Sequence, residues 1–319
     1  MMPEQSRASR MSSRVLPFVA DRVFHTDWMT AGDNRAALAA AAKKRRVLDG
    51  PRPDAILQRK WGRATTEIGG RSLHLLTPKG GTSGRVLFYC HGGAFVVGPS
   101  SLEWIFAARF AASIGCDLAL YDYPRVPEAD SPTILATTLA AYRVIEARYP
   151  PRHITMAGLS AGGGLAVATL LQLQRVGSPL PSAGVLFSPW LDVTVSHPDA
   201  EGNTESDLLL PIERLRRDGE LYAGATELTD PLVSPRFASA DDLAAMPPMV
   251  VSAGEHEILL PEAREFVANL TGAGVTAKLA LEPHGQHGGI AGAHPEAAAG
   301  RDECVEFLRA CRRRQILLP

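Results

Sequence analysis

The chain has 319 residues, with 33 lysines and arginines against 34 aspartates and glutamates and a formal net charge of −1. That length suits one large α/β domain plus a cap, or two small domains. The 45% hydrophobic content is enough for a well-buried core, the charge balance gives no electrostatic case for nucleic acid or an acidic membrane surface, and no apolar run is long enough to span a bilayer.

The N-terminus is basic (Arg7, Arg10, Arg14), but its longest apolar piece, residues 15–20, is interrupted by Pro17 and is too short for a secretory signal. An alanine-rich stretch over 34–48 reads as a helix ending in Lys43-Lys44-Arg45-Arg46. A solvated helix end, where cations suit the macrodipole, explains that run better than an anion-binding patch. Gly50-Pro51-Arg52-Pro53 breaks the helix. Runs 63–68 and 71–76 flank Gly69-Gly70 and read as a hairpin. Strands and helices then alternate. Strands are expected at 85–90, 118–121, 154–157, 184–187, 249–253 and 276–281, and helices at 102–114, 133–149, 261–271 and 295–312. This alternation predicts an α/β fold, a mainly parallel sheet with helices on both faces. Catalytic groups are then expected beyond the carboxyl ends of the strands. The alternation stops between Asp192 and Asp230, where a polar stretch with a helix at 208–223 reads as a cap. The expected organisation is an N-terminal helical cap segment (1–60), a core in two parts (61–191 and 230–319) and a cap insertion (192–229).

Two motifs carry chemistry. Gly158-Leu159-Ser160-Ala161-Gly162 is a G-x-S-x-G turn between an apolar β-like segment and a helix-like run from Gly163. Strand, tight turn and helix form the context that lifts a serine nucleophile out of a sheet. Glycines are needed there because the serine sits at strained backbone angles. Upstream, His91-Gly92-Gly93-Ala94-Phe95 follows the apolar run 86–90. An H-G-G loop supplies backbone N–H groups for the oxyanion of acyl transfer. The expected donors are Gly92, Gly93 and Ala161, with His91 holding the loop by hydrogen bonding. Cys90, Cys116, Cys304 and Cys311 show no CxxC spacing. Buried free thiols and a reducing, cytoplasmic setting follow as the expectation, with no metal site.

These motifs resemble the hormone-sensitive-lipase-like branch of the α/β-hydrolases. Tyr123-Pro124-Arg125-Val126-Pro127-Glu128 resembles a further family segment, as do Ser188-Pro189-Trp190-Leu191-Asp192 and Asp230-Pro231-Leu232-Val233-Ser234-Pro235. Leu159 departs from the family's usual aspartate. In this fold the base and acid follow the serine in the order acid, then histidine. The family's closing loop places the base at His287 in Glu282-Pro283-His284-Gly285-Gln286-His287, with His284 the alternative and His294 and His256 weaker. The family's G-x-x-D-x-L pattern, read here as Gly254-Glu255-His256-Glu257-Ile258-Leu259, places the acid at Glu257, with Glu255 the runner-up. Glu128 resembles a supporting glutamate near the elbow. Phe95, Val96 and Trp190 read either as pocket lining or as core. The resemblance implies hydrolysis of small-molecule carboxylic esters with short to medium acyl groups through an acyl-enzyme, without cofactor. Amidase, lactonase, acyltransferase and non-catalytic receptor remain the alternatives, and a homodimer is left open.

Overall fold

The architecture is that of a computed structural model, which describes residues 5–10 and 52–316. The expected helix at 34–48, its basic end and most of the 1–60 segment lie outside these residues.

Eight strands form one sheet in the order β1-β2-β4-β3-β5-β6-β7-β8. The expected hairpin joins β1 (Trp61–Ile68) to β2 (Arg71–Pro78), which pairs antiparallel with β4 (Asp117–Tyr121). From β4 onward the neighbours β3 (Val86–Cys90), β5 (Ile154–Leu159), β6 (Ala183–Phe187), β7 (Met249–Gly254) and β8 (Ala277–Glu282) pair in parallel. β1 exposes Arg63, Thr65, Thr66 and Glu67, and such a polar edge discourages pairing with another chain.

The central strands are largely apolar because both faces are covered. Side chains alternate between faces. Val86, Phe88 and Cys90 join one core cluster with Ile134, Leu165 and Phe266, while Leu87 and Tyr89 join the other with Trp104, Phe110 and Leu308. The first face is packed by α2 (Ser131–Glu146), α3 (Ala161–Arg175) and α5 (Leu260–Gly272), the second by α1 (Ser101–Ser113) and α6 (Pro295–Ile316). The α/β fold with helices on both faces therefore stands as expected.

Between β6 and β7 the helix expected at 208–223 begins later, as α4 (Ile212–Ala223). Pro211 disfavours helical geometry at Leu210, and Asp207 Oδ1 accepts the N–H groups of Leu209 (2.9 Å) and Leu210 (3.0 Å) in a turn instead. A short helix at Ala240–Ala244, closed by a Ser239–Asp242 capping box, had not been expected.

Candidate active site

Five neighbouring strands deliver side chains to one end of the sheet. Cys90 ends β3 before His91, Leu159 ends β5 before Ser160, and Phe187 ends β6 before Ser188; the loops after β7 and β8 carry Glu257 and His287. Ser160 has φ +54° and ψ −122°, a sharp turn from strand to helix. A Cβ on Gly158 would collide with Gly162 O, and one on Gly162 with the carbonyls of Cys90 and His91. Only glycine at both positions allows the elbow to sit against the end of β3.

The Ser160 hydroxyl donates to Nε2 of His287 at 2.9 Å, and Nδ1–H of His287 donates to Oε2 of Glu257 at 3.0 Å. Glu257 is fully buried. Its other oxygen, Oε1, accepts the Ser188 hydroxyl at 2.7 Å and the Gly254 N–H. Ser188 Oγ in turn accepts Gly288 N–H at 3.0 Å, tying Glu257 to the loop of His287. Burial alone would lower the His287 pKa, but the hydrogen bond and charge of Glu257, with the charge of Asp207, outweigh it and raise the pKa.

The oxyanion loop corrects one expectation. Gly92 N–H is already engaged, donating to Oε1 of the buried Glu103 at 2.7 Å. It is therefore not a donor for substrate. Gly92 O accepts Nδ1–H of His91 at 2.7 Å. Burial, opposed by Asp122, pushes His91 down to about 3, so its ring is neutral near pH 7 and the carbonyl fixes the proton on Nδ1. Gly93 O accepts Val96 N–H (2.9 Å) and Val97 N–H (3.0 Å). A trans peptide is planar, so pinning a carbonyl aims the next N–H the opposite way. Both flanking carbonyls are pinned, which sets the directions of Gly93 N–H and Ala94 N–H. Ala94 takes φ +52° to achieve this. Tyr123 stacks on His91 at 3.9 Å and its hydroxyl donates to His91 O at 2.6 Å.

A cavity of about 210 Å³ opens beside Ser160, lined by Gly92, Gly93, Ala94, Val97, Glu103, Leu159, Leu210, Leu215, His287 and Gly288. Leu210 and Leu215 come from the 192–229 segment. That segment is hydrogen-bonded to the loops of Glu257 and His287: Asn203 Nδ2 donates to Glu257 O (2.7 Å), Ile258 N–H to Asp207 (2.9 Å) and Leu208 N–H to Gln286 (2.8 Å). Phe95, Val96 and Trp190 are core; Phe95 stacks on Tyr222 at 3.6 Å. Glu128 is exposed and lines a separate cavity with Asp130, Thr133, Arg217 and Glu220, so the structure does not bring it to Ser160. The alternatives also sit elsewhere. Glu255 accepts His284 N–H at 2.9 Å, and His294 lies between Glu282 (3.4 Å) and Glu296 (3.3 Å). Among the described residues, Glu255, His256 and His284 bring one ligand atom each within 4.8 Å of one another, a donor set that suits a zinc-type cation. Sequence reasoning missed Glu103, Ser188 and Tyr123, whose partners lie 11, 69 and 32 positions away.

The sequence matches the family described as alpha/beta hydrolase fold over residues 87–291. It is 39% identical over 183 residues to an acetyl-hydrolase of Streptomyces hygroscopicus, covering 57% of this chain and 60% of that protein. It is 32% identical over 184 residues to an esterase of Acinetobacter venetianus, again covering 57% and 60%. The matched stretch thus spans about 60% of the length of these relatives. A crystal structure of an esterase from the bacterial hormone-sensitive lipase family superposes with a TM-score of 0.77 at 27% identity, covering 98% of this chain and 99% of that one.

Proposed function

This chain belongs to the α/β-hydrolase fold family, and on that premise we propose that it is a serine carboxylic-ester hydrolase acting on short to medium acyl groups. The observation that carries the reading is the unbroken relay from Ser160 through His287 to Glu257, at 2.9 and 3.0 Å. A serine hydroxyl is a weak nucleophile near neutral pH and needs a base, which in turn needs an orienting carboxylate. His287 takes the proton as Ser160 Oγ attacks the ester carbonyl. Glu257 keeps Nδ1 protonated, leaving Nε2 free to accept, and stabilises the imidazolium. The N–H groups of Gly93, Ala94 and Ala161 receive the oxyanion, Ala161 from the first turn of α3, where the helix dipole favours negative charge. His287 then protonates the departing alcohol, and water enters by the same base to release the acid from Ser160. Leu210 and Leu215 on the cavity wall support a cap role for the 192–229 segment, and the small apolar cavity favours short acyl chains. The buried free cysteines support a reducing, cytoplasmic setting.

The test is turnover of a nitrophenyl ester series from acetyl to decanoyl. Wild type should prefer the short members. Ser160→Ala should lose on the order of 10⁶ in kcat, the scale seen when a triad serine is removed. Ser160→Ala with undiminished turnover ends the proposal.

A further inference from the structure

Helix α1 begins beside the oxyanion loop. Ser100 caps it, its hydroxyl oxygen accepting Glu103 N–H at 3.1 Å. The cap fixes Glu103 in the first turn, where the helix dipole favours a carboxylate. Yet Glu103 does not face solvent; it is 7% exposed. Its Oε1 accepts Gly92 N–H at 2.7 Å and the Tyr89 hydroxyl at 3.1 Å, and the residue also borders the Ser160 cavity. We propose that Glu103 is a positioning residue for the reaction: by holding Gly92 N–H it fixes the peptide from which the Gly93 and Ala94 donors follow, a role that rests on the ester-hydrolase reading.

A buried carboxylate is costly without compensation. Burial pushes Glu103 up to about 7, against the hydrogen bonds from Gly92, Tyr89 and Ser100 that hold it down. Gly92 and Tyr89 both present donors. Both donate to Oε1, so that oxygen has to remain an acceptor, and any proton on the carboxyl is confined to Oε2. With Glu103 and His91 on its two sides, Gly92 is held at both its N–H and its C=O. Among the described residues, Tyr89 and Cys90 on β3, His91 beyond Gly92, Tyr123 after β4 and His287 across the cavity are titratable groups near this carboxyl.

The experiment compares wild type, Glu103→Ala and Glu103→Gln on nitrophenyl acetate across pH. Loss of a whole oxyanion donor lowers kcat by about 10²–10³, so a misplaced pair of donors in Glu103→Ala should lower it by about 10–100-fold with KM changed less than about threefold. Glu103→Gln keeps an oxygen for Gly92 N–H and should recover most of that loss. A wild-type kcat in Glu103→Ala, or equal losses in both variants, overturns the role. Should Glu103→Ala fail to fold by circular dichroism, Glu103→Met, of similar volume but without an acceptor for Gly92 N–H, decides: a fall in kcat of about 10–100-fold that Glu103→Gln does not share supports the role, and a wild-type kcat in Glu103→Met overturns it. Failure of the hydrolase reading looks different: wild type would neither turn over the ester nor take a fluorophosphonate label, and both proposals fall.

Discussion

Glu257 has two oxygens and three donors. Oε2 takes Nδ1–H of His287, while Oε1 takes the Ser188 hydroxyl and Gly254 N–H. In Glu257→Gln one oxygen becomes an NH₂ group, so either His287 or the Ser188–Gly254 pair meets a donor instead of an acceptor. Loss of the correct imidazole tautomer is worth on the order of 10⁴ in kcat, and a fall of about 10³–10⁴ is expected here in steady-state assays. The same variant has a pH signature. Hydrolysis needs neutral His287, whose pKa is raised above the ordinary 6.5 despite burial, through Glu257 and Asp207. The wild-type acid limb of kcat/KM should therefore fall above that value, and removing the Glu257 charge should move it to lower pH. An unmoved limb would count against Glu257 as the charge His287 feels. At this scale the elbow was legible because a glycine-flanked serine between strand and helix is a local pattern. Glu257 and His287 were placed by the resemblance of their two loops to the family's patterns, which left Glu255 and His284 as alternatives. The engagement of Gly92 was not legible, because Glu103 reaches it only once α1 is packed on β3; local spacing made all H-G-G amides look equally available.

Strands and the long helices were readable because their apolar periodicity is local. In the 192–229 segment the helix was legible too, apart from its start, but the burial of its charges was not. Its α4 is held by Arg214 Nε on both oxygens of Asp218, at 3.0 and 3.1 Å, with side chains 2% and 0% exposed. An i, i+4 charge pair reads in sequence as a solvated helix face, and here it is interior. Breaking such a pair from one side leaves a buried charge, so Asp218→Ala should lose about 3–5 kcal/mol in urea denaturation. Exchanging both residues for apolar ones of similar volume should be nearly neutral. A loss below about 1 kcal/mol in Asp218→Ala, the scale of an exposed pair, would show that burial does not strengthen this one. Leu215, one position after Arg214, lines the Ser160 cavity, so disorder in α4 should also raise KM before it lowers kcat.

Across the whole molecule, buried titratable groups oppose one another in pH. His74 and His91 are driven by burial to about 4 and about 3, so the unfolded chain binds more protons than the folded one up to 6.5, and stability rises with pH over that window. Burial drives Glu103 to about 7 and, with the charge of Glu257 adding, Glu282 to about 8. There the folded chain holds the extra proton, and stability falls as pH climbs from 4.5 through those values. His287, raised from 6.5, acts in the same direction above that pH. Above 6.5 the histidines kept neutral add nothing more, while Glu103, Glu282 and His287 all continue downward. The thermal midpoint at constant ionic strength should therefore decline from about pH 6.5 to about pH 8, and Glu282→Gln should remove part of that decline. A flat or rising midpoint in wild type would show that these carboxyls are not held protonated by the fold. Hydrolysis runs the other way across this window, because it needs His287 neutral. The protein should thus be most active where it is no longer most stable, since both properties depend on protons released from the same end of the sheet.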